Sequence, residues 1–258
     1  AWALLQTGHQ FGTLDSGVVD RFEGYWTFFP LLGTWVHALS VSSFGLSLLS
    51  MRLVSLVFGL ALVVSVYAAT DRLYDRWTAL AAIALLAVSH SFIFSSHLAR
   101  HDIIVACLGF GALALYLGDR SSGLSVRSVL GGLAIGLTLD IHPNGIVYAA
   151  ALAALFLVDH GVAFLRLKRF WGFVLGLSLA LVYYVGVHVL PYPQTYLAIA
   201  SLSSASRRTP PMFILDAHVW VDSFRETILL VAWADPIAMP VLILALIALT
   251  VTRSQSDR

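Results

Sequence analysis

From Leu48 to Ala69 the sequence carries a single charged side chain, Arg52, close to its start. A helix rises about 1.5 Å per residue, so a run of this length covers the roughly 30 Å hydrocarbon layer of a bilayer. The pattern then repeats. Trp77–Phe94, Ile103–Leu117, Phe170–Leu190 and Ile237–Val251 each predict a span. Val129–Leu139 and Ile146–Val158 predict a tight helical pair around the turn Asp140-Ile141-His142-Pro143-Asn144-Gly145. Leu31–Phe44, opened by Pro30 and closed by Gly45, is too short to span and is expected to lie in the membrane interface. The fold class that follows is all-α, a polytopic transmembrane helix bundle of about seven spans with short interfacial helices on the outer face.

Composition excludes the soluble alternative. Charged residues make up 11% of the chain and hydrophobic residues 59%, against about 25% charged in a soluble domain. The net charge of +1 gives no signal for nucleic acid, and none is expected as a partner. The single cysteine, Cys107, sits inside an apolar run, so no internal disulfide is available. One transmembrane domain is expected: 1–29 an external loop, 30–190 membrane helices with short loops, 191–226 a second external loop, and 227–258 the last span with a cytoplasmic tail. The chain opens on Ala1 in a loop-like stretch, which is read as a fragment whose beginning is missing.

The connections sort by charge. Those at 71–76, 119–127, 159–169 and 252–258 hold nine Lys or Arg residues: Arg72, Arg76, Arg120, Arg127, Arg166, Lys168, Arg169, Arg253 and Arg258. Short basic loops stay in the cytoplasm. The opposite face is therefore outside, and it carries the loop 1–29, the segment His97-Leu98-Ala99-Arg100-His101-Asp102, the Asp140–Gly145 turn and 191–226. Two imidazoles, a guanidinium and a carboxylate beside a bilayer are costly and mark a functional site by default.

Each polar residue there has two readings. Arg100 and Asp102 suit a helix-start cap with a snorkelling cation, or a site for an anion. His97 and His101, with Asp102 beside them, have the i,i+4 spacing of paired ligands on a helix; a divalent metal is the one cofactor this pattern admits, with interfacial capping as the other reading. Asp140 and His142 end a helix or join the site. Asp15, Asp20 and Glu23 are solvated loop acids, or supply a base. Arg207-Arg208 is a surface cation pair or reaches over the site. Tyr25 and Trp26 suit the membrane interface. Gly132-x3-Gly136 and Gly172-x3-Gly176 are packing features for close helices.

In order and spacing, several short motifs resemble the GT-C membrane glycosyltransferases, in the glycosyltransferase family 39-like branch of protein O-mannosyltransferases and aminoarabinose transferases. The resemblance runs through Ala1-Trp2-Ala3-Leu4-Leu5-Gln6-Thr7-Gly8, Phe29-Pro30-Leu31-Leu32, Phe44-Gly45-Leu46-Ser47, Arg52, Ala99-Arg100-His101-Asp102 and Leu137–Gly145 with His142-Pro143-Asn144-Gly145. Beyond about residue 160 only hydropathy agrees. It implies transfer of a sugar from a polyprenyl-phosphate donor to a hydroxyl of a protein, lipid or glycan acceptor, with inversion at the sugar carbon. It also implies a bacterial or archaeal plasma-membrane enzyme whose site faces outside, among membrane lipids. The family's acidic pair, which holds its catalytic base, would fall just before Ala1, so the fragment is expected to lack that acid.

Such a reaction needs a base for the hydroxyl and cations for the departing phosphate. Arg100 leads for the phosphate because its planar fork binds two oxygens at once. Arg21, Arg207, Arg208 and His142 are further substrate-binding candidates, Tyr25 and Trp26 offer ring faces, and Asp102 and His101 are the catalytic candidates. A transporter is the rival from another class, with charges at the midplane and internal repeats; neither is visible, the polar residues gathering at one face. A non-catalytic membrane scaffold subunit is the third reading.

Overall fold

The computed structural model describes residues 1–7, 31–119, 121, 123–191, 193, 194, 196, 197 and 225. Over these the chain is helical, with no strand among the described residues. The helices are α1 (Trp2–Thr7), α2 (Leu31–Phe44), α3 (Leu48–Leu73), α4 (Arg76–Val88), α5 (His90–His97), α6 (Asp102–Gly118), α7 (Val126–Ile141), α8 (Ile146–His160) and α9 (Lys168–Tyr184). A 3₁₀ turn at Pro143–Gly145 joins α7 to α8, another at Gly161–Arg166 follows α8, and α9 runs on into a π-helical turn at Val185–Val189.

The helix starts are written locally. Gly45 adopts φ +75°, a conformation a side chain resists, and turns the chain from α2 into α3. Ser47 and Ser50 then cap α3 reciprocally, as Ser125 and Ser128 cap α7. Asp75 caps α4 by accepting from the backbone N–H groups of Trp77 and Thr78 at 2.8 and 2.9 Å.

Three helices are long and apolar enough to cross a membrane, Leu48–Leu73, Ile146–Arg166 and Lys168–Val187, and the pair α4–α5 makes a fourth if taken as one bent span. The expected seven are not reached among the described residues. Asp102–Gly118 and Leu31–Phe44 are apolar but shorter, below the roughly 20 residues a straight crossing takes. The span expected at Ile237–Val251 lies outside the described residues. Trp77–Phe94 is not one straight helix either: it bends by 65° at Ser89. Ser89 is extended (φ −66°, ψ 127°) and serves as the last cap of α4 and the first of α5, where its hydroxyl accepts from the Phe92 N–H.

Packing follows small residues. The expected tight pair of α7 and α8 is corrected: α7 packs chiefly along α9 and α6 and only lightly against α8. A methyl group at Gly132 would strike the Phe173 backbone, one at Gly176 the Val129 backbone, one at Gly136 Ala180, and one at Gly172 Ser128. The two glycine motifs therefore face each other, in parallel helices, and let the backbones touch. A core of Val54, Leu62, Ile103, Ile104, Val105, Cys107 and Ile141 joins α3, α6 and α7. A second, around Phe156, joins α6 to α9, with the rings of Tyr116, Phe170 and Phe173 edge-on at 4.8, 5.3 and 5.8 Å.

The basic connections meet around the C-terminus of α6. Arg72 donates to the Ala114 carbonyl at 2.6 Å, Arg127 to Gly118 and Arg169 to Asp119 at 3.1 Å. Three helices thus supply the cations that the exposed carbonyls of a helix end attract. Burial would raise the carboxyl pKa of Asp119. Its bonds from Ser121 and Ser125, with the nearby Arg169, more than offset this and hold it below the usual range.

Candidate functional site

At the other end of the bundle the chain between α5 and α6 is held by hydrogen bonds and close packing. Leu98 is extended and ends α5, and its carbonyl accepts from the Ser55 hydroxyl of α3 at 2.5 Å. Ser96 lies against Gly59 of the same helix, where a methyl group would come within 3.1 Å of it. This segment therefore rests on α3 through close contacts, and Arg100, His101 and Asp102 follow from it.

Arg100 and Asp102 form an ion pair, Nε to Oδ2 at 2.6 Å, with the side chains 53% and 39% exposed. Asp102 is the first residue of α6, where the helix dipole favours its negative charge. The Arg100 guanidinium carbon stands 5.8 Å from the Phe94 ring centroid. Its two terminal nitrogens have no partner among the described residues. An exposed pair of this kind contributes about 0–1 kcal/mol, so stability does not explain it.

His101 points inward instead. Its ring fits a notch that only a glycine leaves, since a Cβ at Gly33 would overlap its Nδ1 and Cε1. It meets the His37 ring edge-on, the centroids 5.6 Å apart at 76°. Burial first, then His37, His142 and Arg100, push its pKa down to about 4, with Asp102 pulling the other way. The imidazole is therefore neutral at ordinary pH, a form able to take a proton. His142 caps the C-terminus of α7, and its Nδ1 accepts from the Asn144 N–H at 3.2 Å.

The i,i+4 geometry read for His97 and His101 is not realised. The helix ends at His97, Leu98 is extended, and the His97 ring is exposed and bonded to the Ile93 carbonyl at 2.7 Å. No group of three metal-binding side chains occurs among the described residues. Arg21, Tyr25, Trp26, Arg207 and Arg208 lie outside the described residues, as do Asp15, Asp20 and Glu23.

Two residues carry more than the sequence suggested. Asp140, read as a helix terminator or a site residue, is 0% exposed in the last turn of α7 and acts electrostatically on Tyr183 of α9. His37 went unnoticed. It is 3% exposed, and its Nδ1 lies 2.8 Å from the Gly33 carbonyl. Its sequence signal was a histidine inside the apolar run Leu31–Phe44, where burying a polar ring costs free energy without a partner.

Comparison with known proteins bears on this arrangement. The sequence model of the dolichyl-phosphate-mannose-protein mannosyltransferase family matches residues 29–189, more than half of the chain. The chain belongs to this family. The match takes in α2 to α9 and so includes Gly33, His37, Arg100, His101, Asp102, Asp140 and His142. No curated protein and no solved structure matches the chain. The family and the apolar helices make it a membrane protein of the mannosyltransferase type.

The depressed pKa of His101 predicts acid sensitivity. Unfolding frees the ring to its ordinary value near 6.5, so between about 6.5 and 4 the unfolded state binds more protons. Stability is then full above pH 6.5 and falls as the pH drops through that window. Discounted for partial exposure, the loss is about 1–2 kcal/mol. Melting temperatures measured from pH 7.5 to 4.5 should fall less steeply in His101→Gln than in the unchanged protein; equal slopes would refute the assignment.

Proposed function

We propose that the chain transfers a sugar from a polyprenyl-phosphate donor to an acceptor hydroxyl at the membrane face carrying Arg100 and His101. The single observation behind this reading is the Arg100 guanidinium, with both terminal nitrogens open at the N-terminus of α6. A planar fork there binds two oxygens of a phosphate, and the helix end adds its partial positive charge. In the transfer, the acceptor oxygen bonds to the anomeric carbon as the bond from that carbon to the phosphate oxygen breaks. The phosphate leaves with the electron pair, and Arg100 neutralises the charge it gains. His101, neutral and two steps from the membrane helix it precedes, takes the hydroxyl proton. Asp102 holds Arg100 by its Nε and leaves the outer nitrogens for the donor. Arg21, Arg207 and Arg208 are proposed as additional phosphate contacts, Tyr25 and Trp26 as ring faces for sugar or prenyl chain, and His142 as a polar contact beside His101. The family's place among mannosyltransferases and the position of this cluster at one end of the bundle support the extracytoplasmic face as the site of reaction.

The test is turnover of the donor itself. The full-length protein in liposomes, supplied with a panel of polyprenyl-phosphate hexoses and pentoses and a hydroxyl-bearing peptide or lipid, should release polyprenyl phosphate and glycosylate the acceptor. Movement of sugar across the vesicle wall without bond cleavage would replace this reading with a transporter.

A further inference from the structure

His37 stands one turn after Gly33 on α2, so both the notch and the ring beside it come from the same helix face. A backbone carbonyl can only accept. The 2.8 Å contact between His37 Nδ1 and the Gly33 carbonyl therefore places the His37 proton on Nδ1. That leaves Nε2 as a bare lone pair. Nε2 is buried and has no hydrogen-bond partner, within a residue 3% exposed and edge-on to His101. A buried acceptor without a donor costs about 1–3 kcal/mol, a cost that evolution removes unless a donor arrives. The ring facing it is His101, with its Nδ1 also buried on that inward side. The other charged groups around His101 are His142 after α7, and Arg100 and Asp102 on its own segment. Asp102 is bonded to Arg100, and His142 turns its Nδ1 to Asn144.

We infer that His37 is a positioning residue for His101: its Nε2 lone pair draws the His101 proton onto the inward Nδ1 and so leaves the outward Nε2 as the basic nitrogen. A histidine's tautomer is set by the hydrogen bond its other nitrogen makes, and a wrong tautomer disables a proton acceptor even where the geometry is intact. The functional meaning of this assignment rests on His101 as the proton acceptor proposed above. The tautomer itself does not. When a hydroxyl gives its proton to His101 Nε2, the ring becomes an imidazolium whose Nδ1–H still points at His37, which remains neutral. Gly33 serves the same device by letting the His101 ring come close enough to α2.

Ring ¹⁵N shifts of the histidine-labelled full-length protein in nanodiscs at pH 7.5 test the inference, the His101 signal being identified by its loss in His101→Gln. The expected result is a His101 ring protonated on Nδ1, the minority form of free imidazole side chains. His37→Phe keeps a ring of similar size but removes the acceptor, and should return His101 to the Nε2–H form. His37→Gln, which places a carbonyl oxygen where Nε2 stood, should keep the Nδ1–H form. An Nε2–H ring in the unchanged protein overturns the inference even if neither variant folds, and so does an Nδ1–H ring that survives His37→Phe. If transfer is also observed, His37→Phe should lower kcat about 10- to 100-fold with KM unchanged. An Nδ1–H ring in a protein that transfers nothing would leave the positioning intact and sink the transfer reading alone.

Discussion

Replacing Arg100 with alanine is expected to lower glycosyl transfer about 100-fold or more, with the yield and melting temperature of the folded protein unchanged. The two halves of this expectation have separate causes. Arg100 is half exposed and holds one ion pair, to Asp102, and such pairs contribute about 0–1 kcal/mol to stability. Its value to a departing phosphate is far larger, because charge grows on the phosphate oxygens as the sugar leaves and the guanidinium lies where no protein carboxylate satisfies its outer nitrogens. Lysine at this position keeps the charge and loses the fork, so Arg100→Lys should fall between the two. Donor turnover, read beside thermal melts of each variant, checks both halves. Unchanged turnover in Arg100→Ala would remove this residue from the site.

The second large effect is structural. Gly132→Val is expected to destabilise the bundle by about 3 kcal/mol, seen as a lower melting temperature in detergent and loss of folded yield. Each methyl of the new side chain would be driven into the backbone of α9 near Phe173 and Leu177, and backbone cannot move aside as a flexible side chain does. Gly176→Val meets Val129 and Leu133 in the same way from the other helix. The double variant should cost less than the sum of the two, since one separation of α7 from α9 relieves both. Gly123, where nothing lies within reach of an added Cβ, is the control. A melting temperature unmoved by Gly132→Val would mean that α7 and α9 do not touch.

The order and ends of the helices were legible because hydropathy and capping are local properties. Gly45, Asp75 and the paired serines mark their ends in the sequence itself. Two features were not. The break at Ser89 falls within an apolar run, and apolarity carries no information about direction. The pairing of α7 with α9 instead of α8 depends on which glycine motif meets which, a matter of three-dimensional register that spacing alone leaves open. At the site, Arg100, His101 and Asp102 stood out as ionisable groups between membrane runs, and the structure does bring His101 beside α2. The helical pairing of His97 with His101 failed because Leu98 is extended, a backbone choice dictated by α3 through Ser55. His37 was missed because a lone histidine in an interfacial helix has no pattern of its own; its meaning comes from Gly33 one turn earlier and from a ring that arrives from far along the chain.

The bend at Ser89 isolates the site from the membrane's own motion. Ser89 caps the helices on both of its sides, so the corner keeps its hydrogen bonds satisfied, while beyond it α5 is tied to α3 at Ser96 and Leu98. Bilayers fluctuate in thickness, and helices answer by tilting. Here α4 is free to rock as the bilayer swells and thins, the corner flexes like a universal joint, and Arg100 keeps its height above α6.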